Sequence, residues 1–238
     1  MERENVVITG ARRGLGKTLA YLFASKGYNL VINDKEDLDK LNEIKRDIET
    51  KYKVTVLIYF GDISKEDKVL ELLSLIKDKY KKIDVLINNA AIVEDMEMKE
   101  RSTKLFNETI ENNITSVYLM SKYLGELMYK NKKGRIINIS STNGINLFFP
   151  TSIDYDASKA AVISLTHNFA LQYAPVAPGW IKTEMNEQLP QELIDEETEK
   201  IYLKRFAEPE EIAKFIFFLS SDECSYLNGE IIKLDGGY

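Results

Sequence analysis

The sequence is poor in the residues from which metal sites, disulfide scaffolds and membrane spans are built. It holds one cysteine, Cys224, and one histidine, His167. A lone thiol excludes an internal disulfide and fits a reducing compartment. His167 lies in the helical pattern Leu165, Phe169, Leu171 with no second imidazole to share a metal, so it reads as helix packing or surface. No apolar run approaches about 18 residues, and the charged start Met1-Glu2-Arg3-Glu4 leads straight into a β-branched run. Neither a membrane span nor a signal peptide is predicted, and a cytoplasmic location is expected. Positive charge is also in deficit, with 32 Lys and Arg against 38 Asp and Glu, a net charge of −6 and a pI of about 5.1. That balance argues against a nucleic-acid surface, and Lys/Glu-rich stretches such as Lys35 to Lys53 read as solvated helix faces. Repeats, low-complexity tracts and linkers are absent.

What is present suits one well-buried α/β domain over residues 1–238, with 44% hydrophobic and 29% charged residues. Apolar runs at Val6-Ile8, Leu30-Ile32, Val54-Ile58, Val85-Ile87, Ile136-Ile139 and Ile231-Ile232 alternate with amphipathic helical patterns. Continuous apolar strands of this kind predict a doubly wound parallel sheet with both faces covered. Ligands of such sheets sit beyond the carboxyl ends of the strands. Gly10, Asp34, Asp62, Asn89, Ser141 and Pro178 each follow a strand or its expected place. Residues 183–204, acidic and weakly periodic, read as a substrate lid.

Two motifs carry chemistry. Thr9-Gly10-Ala11-Arg12-Arg13-Gly14-Leu15-Gly16 follows a strand and opens the helical pattern Leu19, Leu22, Phe23. Glycines there let backbone approach a pyrophosphate while the helix N-terminus offers free N–H groups to the anion. The spacing is G-x-x-x-G-x-G, which differs from the G-x-G-x-x-G fingerprint. The second motif is Tyr155-Asp156-Ala157-Ser158-Lys159. Positions i and i+4 share a helix face, so the Lys159 ammonium is expected beside the Tyr155 phenol, lowering a pKa that is ordinarily about 10. Ser141 is expected to hold a substrate oxygen against that phenol, with Ser140 as the alternative.

Together with Asn88-Asn89-Ala90-Ala91, Ala177-Pro178-Gly179-Trp180-Ile181-Lys182-Thr183, Arg205 to Ala213 and Leu234-Asp235-Gly236-Gly237, these motifs resemble the short-chain dehydrogenase/reductase family, including its 3-oxoacyl-carrier-protein reductases. The resemblance covers nearly the whole chain. It implies a Rossmann-type fold and hydride transfer between NAD(H) or NADP(H) and a carbonyl or secondary alcohol, such as a 3-oxoacyl thioester. It also implies a catalytic set of Asn113, Ser141, Tyr155 and Lys159. Asn113 would hold a water for proton relay; Asn112 is a near-equal candidate, and the following Ile114-Thr115-Ser116-Val117 favours Asn113. The implied nucleotide contacts are Gly10, Arg12, Arg13, Gly14, Leu15, Gly16, Asp34, Asp62, Ile63, Asn89, Ala90, Tyr155, Lys159, Pro178, Gly179, Ile181 and Thr183. A homotetramer or homodimer is implied through helices near Ile110 to Leu124 and Ala157 to Tyr173. Two other readings of the fold are non-redox chemistry, as a dehydratase or epimerase, and a nucleotide-binding regulator without turnover.

The choice of nucleotide rests on few residues. Asp34 at the end of the second strand would accept from a ribose 2′-OH and repel a 2′-phosphate, which favours NAD(H). Arg13 and Lys35 are placed to pair with that phosphate instead. For Asp62 the alternative is a helix N-cap after Gly61. Phe148, Phe149, Trp180, Met185 and Leu189 are candidates for an apolar substrate mouth, with packing as the commoner role of such residues at these spacings.

The chain departs from the family pattern in one place. Between Lys159 and Pro178 it is several residues short, and Gln172-Tyr173-Ala174-Pro175 runs directly into Val176-Ala177. At about 3.3–3.6 Å per residue, so short a segment barely recrosses a sheet. The sixth strand is therefore expected to be largely missing, unless residues of the natural chain are absent from this sequence near 175–176, which the intact flanks favour.

Overall fold

The computed structural model describes residues 3–146, 149–170, 177–178 and 190–237. Five parallel strands form the main sheet: β1 (Asn5–Thr9), β2 (Asn29–Asp34), β3 (Val56–Phe60), β4 (Val85–Asn88) and β5 (Arg135–Asn138), in the order β3-β2-β1-β4-β5. Their sequences are almost unbroken runs of Val, Ile and Leu because both faces are covered. Val6 and Ile8 of β1 pack into one apolar cluster with Leu19, Phe23, Ile44 and Ile216. Val7, on the opposite side of the same strand, packs with Leu72, Ile76, Leu119 and Leu124. One layer thus comes from α1 (Gly14–Ser25), α2 (Leu38–Tyr52) and α8 (Pro209–Ser220), the other from α3 (Glu66–Lys79) and α5 (Ser116–Lys130).

Helices α4 (Thr103–Ile110) and α5 are joined without a break by a π turn at Glu111–Thr115, and α6 (Ile153–Ala170) packs beside them. A buried polar ladder fixes α6 to the sheet. Asn88 Nδ2 donates to Asn138 Oδ1 at 2.8 Å, and Asn138 Nδ2 donates to Thr166 Oγ1 at 3.0 Å. Buried amides satisfied in this way resist sliding, because a slip would leave them unpaired in a dry interior.

One expectation needs correction. The last strand lies at β7 (Lys233–Leu234), two residues beyond Ile231-Ile232, and among the described residues it pairs in parallel with β6 (Ala177–Pro178) alone, in a sheet of its own. Ile232 and Leu234 pack against the first apolar cluster, and the backbone pairing falls one step later. A sixth strand in the main sheet is not found among the described residues. The shortened segment at 171–176 lies outside them, as does the part of the expected lid over 183–189. Of the remaining lid, Gln191–Lys200 forms α7. No described helix is long and apolar enough to cross a membrane.

Candidate active site

Strand order reverses at the junction of β1 and β4, and a cleft of about 480 Å³ opens beyond the carboxyl ends of the sheet there. It runs from Gly10, Arg12 and Asp34 at one end to Ser141, Asn143 and Tyr155 at the other.

The glycine turn forms the floor of the first end. Gly10 takes φ +65°, and a Cβ there would lie 2.8 Å from Ala90 Cα. A Cβ on Gly16 would collide with the Gly10 carbonyl, so helix α1 can begin this close to the strand only without one. Asn89 Nδ2 donates to the carbonyls of Thr9 at 2.9 Å and Gly10 at 3.1 Å, while Thr9 Oγ1 accepts from the N–H groups of Asn89 and Ala90. The β4 loop and the glycine turn are thereby one rigid unit. Thr9 was visible only as a motif letter; its role as a double acceptor depends on β4 lying alongside. Arg13 stands at the N-cap of α1 without a side-chain cap, leaving the first N–H groups of the helix facing the cleft, and Leu15 and Ile63 are buried on its wall. The residues present fit a dinucleotide, since backbone N–H groups and a cradle without Cβ atoms meet where a pyrophosphate would lie.

Charges pair around this end. Arg12 reaches Asp34 at 3.6 Å and bonds Glu36. Lys35 Nζ lies 3.3 Å from Asp62 and donates to Asn112 Oδ1 at 2.5 Å. Asp34 Oδ1 accepts the N–H groups of Lys35 and Glu36 at 2.9 and 3.0 Å, aiming the carboxylate at the strand end. Asp62 is not the cap of α3, which begins four residues later behind Lys65. Its carboxylate closes a turn onto Ser64 N–H at 3.0 Å. Burial pushes the Asp62 pKa up, but the Ser64 bonds and Lys35 outweigh it and hold the carboxyl below its ordinary value.

The second end collects the proton-handling groups. Tyr155, in the first turn of α6, is half-buried and lines the cleft together with Ser141. Ser140 turns away and donates to the Lys159 carbonyl at 2.7 Å. Asn113 is buried in the π turn, with Nδ2 donating to Ile92 O and Ser158 Oγ at 2.8 and 3.0 Å and Oδ1 accepting Ile92 N–H at 2.8 Å. Both N–H groups and one of the two Oδ1 lone pairs are used, so it latches the β4 loop to α6. The π turn swings it inward, whereas Asn112 faces Lys35. π turns of this kind recur at functional sites.

Lys159 is 3% exposed and donates to Ile139 O at 2.8 Å, with Nζ 5.5 Å from the centre of the Tyr155 ring. The expectation that it acidifies the phenol is not met in this geometry. Burial pushes the Tyr155 phenol up to about 12, with Ser141 holding it down and Asp156 pushing it further up. Burial also pushes the Lys159 ammonium down to about 8. A lysine that gives up its proton near 8 is neutral by the pH at which such a phenol ionises. The i, i+4 spacing brings the two together, but the dry surroundings set their proton affinities.

Three buried groups escaped the sequence reading. Arg101, 4% exposed in its side chain, bonds Asp154 at 2.5 Å and the carbonyls of Glu94, Met96 and Thr151. Asp154 also accepts from Thr109 Oγ1 at 2.8 Å and from Tyr155 N–H at 2.9 Å. Asp156 accepts from Asn143 Nδ2, Ser152 Oγ and Phe149 N–H. The carboxylates beside Tyr155 each carry a local signal as first-turn acids of a helix. Their distant partners carry none. Of the expected mouth only Phe149 is described; Phe148, Trp180, Met185 and Leu189 lie outside, as do Gly179, Ile181 and Thr183. Pro178 is described only as backbone in β6. Described residues show no cluster of His, Cys, Asp or Glu fit to hold a metal, and His167 is exposed.

A family model described as enoyl-(acyl carrier protein) reductase matches residues 10–238. The 3-oxoacyl-[acyl-carrier-protein] reductase FabG of Thermotoga maritima is 36% identical, over 100% of this chain and 98% of that protein. The chain belongs to the short-chain dehydrogenase/reductase family. This short-chain dehydrogenase/reductase is accordingly an NAD(P)-dependent oxidoreductase. Among solved structures, ElxO with NADP bound superposes with a TM-score of 0.89 at 32% identity, covering 99% of this chain and 98% of that one. L-sorbose reductase from Gluconobacter frateurii, complexed with NADPH and L-sorbose, gives 0.90 at 25% identity, covering 100% of this chain and 97% of that one.

Proposed function

We propose that the protein is a carbonyl reductase whose proton donor is Tyr155, with a 3-oxoacyl thioester as the first substrate class to test. The observation that carries this reading is that Tyr155, Ser141 and Lys159 line the same cleft as the glycine turn. A nicotinamide nucleotide held over the glycine turn and the Asn89 loop would supply the hydride chemistry at the carbonyl carbon. As negative charge grows on the carbonyl oxygen, Tyr155 Oη passes its proton there and Ser141 Oγ donates a hydrogen bond to the same atom. A phenol pushed up to about 12 is fully protonated at neutral pH, which suits the reducing direction. Lys159, with one donor given to Ile139 O, keeps two for a ribose hydroxyl or a water that returns the proton to Tyr155. Asn113 serves as the latch that holds Ile92 and Ser158 around these groups.

The thioester class is supported by the likeness to the 3-oxoacyl-[acyl-carrier-protein] reductase of Thermotoga maritima and by Val93, Phe149 and Leu193 on the cleft wall. NAD(H) is proposed as the preferred nucleotide, because Asp34 is aimed at the strand end and Glu36 lies beside it, adding a second negative charge against a 2′-phosphate. The NADP and NADPH named with the two solved structures argue the other way, as does Arg13, so the nucleotide comparison belongs in the first assay. We further propose a cytoplasmic homotetramer or homodimer, which light scattering on the purified chain decides. The principal test is a panel of ketones and 3-oxoacyl thioesters with NADH and NADPH, followed by nucleotide absorbance. Nucleotide consumption in step with alcohol formation is expected. Product without net nucleotide consumption would mean non-redox chemistry, and no turnover across the panel would remove the reductase reading.

A further inference from the structure

We propose that Asn143, held by Asp156, is a positioning residue for Ser141, fixing the direction in which that hydroxyl offers its proton. The inference rests on the reductase reading above.

Asn143 is 8% exposed and lies two residues after Ser141, in the turn that leaves β5. Its Nδ2 donates to Asp156 Oδ1 at 2.8 Å. A carboxylate has only lone pairs to offer, so the amide must present its N–H side to Asp156 and its carbonyl side to Ser141. Asp156 is itself fixed, 8% exposed, by Ser152 Oγ at 3.0 Å and Phe149 N–H at 2.9 Å. On the other side, Ser141 Oγ accepts Asn143 N–H at 3.2 Å and lies 3.3 Å from Asn143 Oδ1.

A hydroxyl has one proton and two lone pairs. With Asn143 Oδ1 in front of it, Ser141 points its proton there and receives Asn143 N–H on one of its two lone pairs. Ser141 therefore waits with its own proton parked on Asn143 Oδ1, the longest of these contacts at 3.3 Å. A carbonyl oxygen entering beside Tyr155 takes the Ser141 proton at the cost of that weak contact alone. Were the amide reversed, its N–H would face the hydroxyl and the Ser141 proton would lose its fixed acceptor. Asp156 excludes that reversal.

The test is a double-mutant cycle on kcat and KM, run on whichever panel substrate the wild type reduces, with nucleotide affinity and thermal unfolding as controls. Ser141→Ala is expected to cost about 10²-fold in kcat, and Asn143→Ala about tenfold with ketone KM little changed. In the Ser141→Ala background, Asn143→Ala is expected to cost nothing more, because a residue acting through Ser141 has nothing left to position. Asp156→Asn, which keeps the volume and permits the amide to flip, should show the same lack of additivity and replaces Asn143→Ala if that variant does not fold. Multiplying effects, or a change confined to KM, would overturn the proposal and make Asn143 a substrate contact. A wild type inactive across the whole panel would remove the reductase reading and this inference with it, which separates the two failures.

Discussion

The two ends of the cleft are built from different materials. At the nucleotide end, contacts run through backbone and through partly exposed charges: Arg12, Asp34, Glu36, Lys35 and Asp62 have side chains 14–61% exposed. At the catalytic end the polar groups are sealed in, with Lys159, Asn113, Asp154 and Asn143 all 8% exposed or less. Exposed ion pairs contribute little and rearrange cheaply. Buried ones are costly to break, because each broken partner leaves a charge or dipole with no water to turn to. Nucleotide preference should therefore be tunable one residue at a time, whereas the proton machinery should fail as a unit.

The largest effect should come from Tyr155→Phe. Loss of the proton donor is expected to lower kcat by about 10²–10⁴-fold while leaving nucleotide affinity intact, as read by steady-state kinetics beside fluorescence titration. Retained turnover would show that some other group delivers the proton. Next in size is Arg101→Ala, which strands the fully buried Asp154. Denaturant unfolding should show a loss of about 3–5 kcal/mol, largely recovered in the Arg101→Met/Asp154→Leu pair. A loss below about 1 kcal/mol would mean that water reaches Asp154, and would erase the contrast between the ends.

Lys159→Met should move stability the other way while abolishing turnover. The folded ammonium is pushed from 10.5 down to about 8 by burial, so below that pH the folded protein carries a charge it would rather shed. The unfolded chain holds the proton more tightly, and wild-type stability rises with pH across the interval between those two values. Below about pH 8 the variant should gain about 3 kcal/mol by this reckoning, a margin that shrinks as pH climbs toward 10.5. An unfolding series across that interval checks the slope; no gain near neutrality would mean that the lysine is better solvated than its burial implies. The smallest change is expected from Asp34→Ser. Removing one carboxylate beside Arg12 should shift the NADPH-to-NADH ratio of kcat/KM toward NADPH by about tenfold, or about 1.4 kcal/mol. An unchanged ratio would show that Asp34 only closes the turn onto Lys35 and Glu36.

Legibility followed the same divide. The strands β1 to β5 and the glycine turn are written in contiguous residues, because a strand covered on both faces needs an unbroken apolar run and a close helix start needs glycine. Gly16 and Asp34 could be picked out on that basis. Arg101 could not, since its partner Asp154 is 53 residues away and nothing in either neighbourhood marks the pair. Asn113 was favoured over Asn112 only by the residues that follow it; the π turn decides which one faces inward. The final strand was misplaced by two residues because its apolar residues pack one step ahead of its pairing backbone.

By itself the sequence determined the parallel sheet, the site of the nucleotide cradle and the neighbourhood of Tyr155 to Lys159, all of which depend on short-range periodicity and backbone sterics. Tertiary structure alone decided the proton affinities of that pair and the amide and carboxylate chain behind Ser141. The reason is that desolvation and hydrogen-bond direction belong to the surroundings of a group, and those surroundings are assembled from segments far apart along the chain.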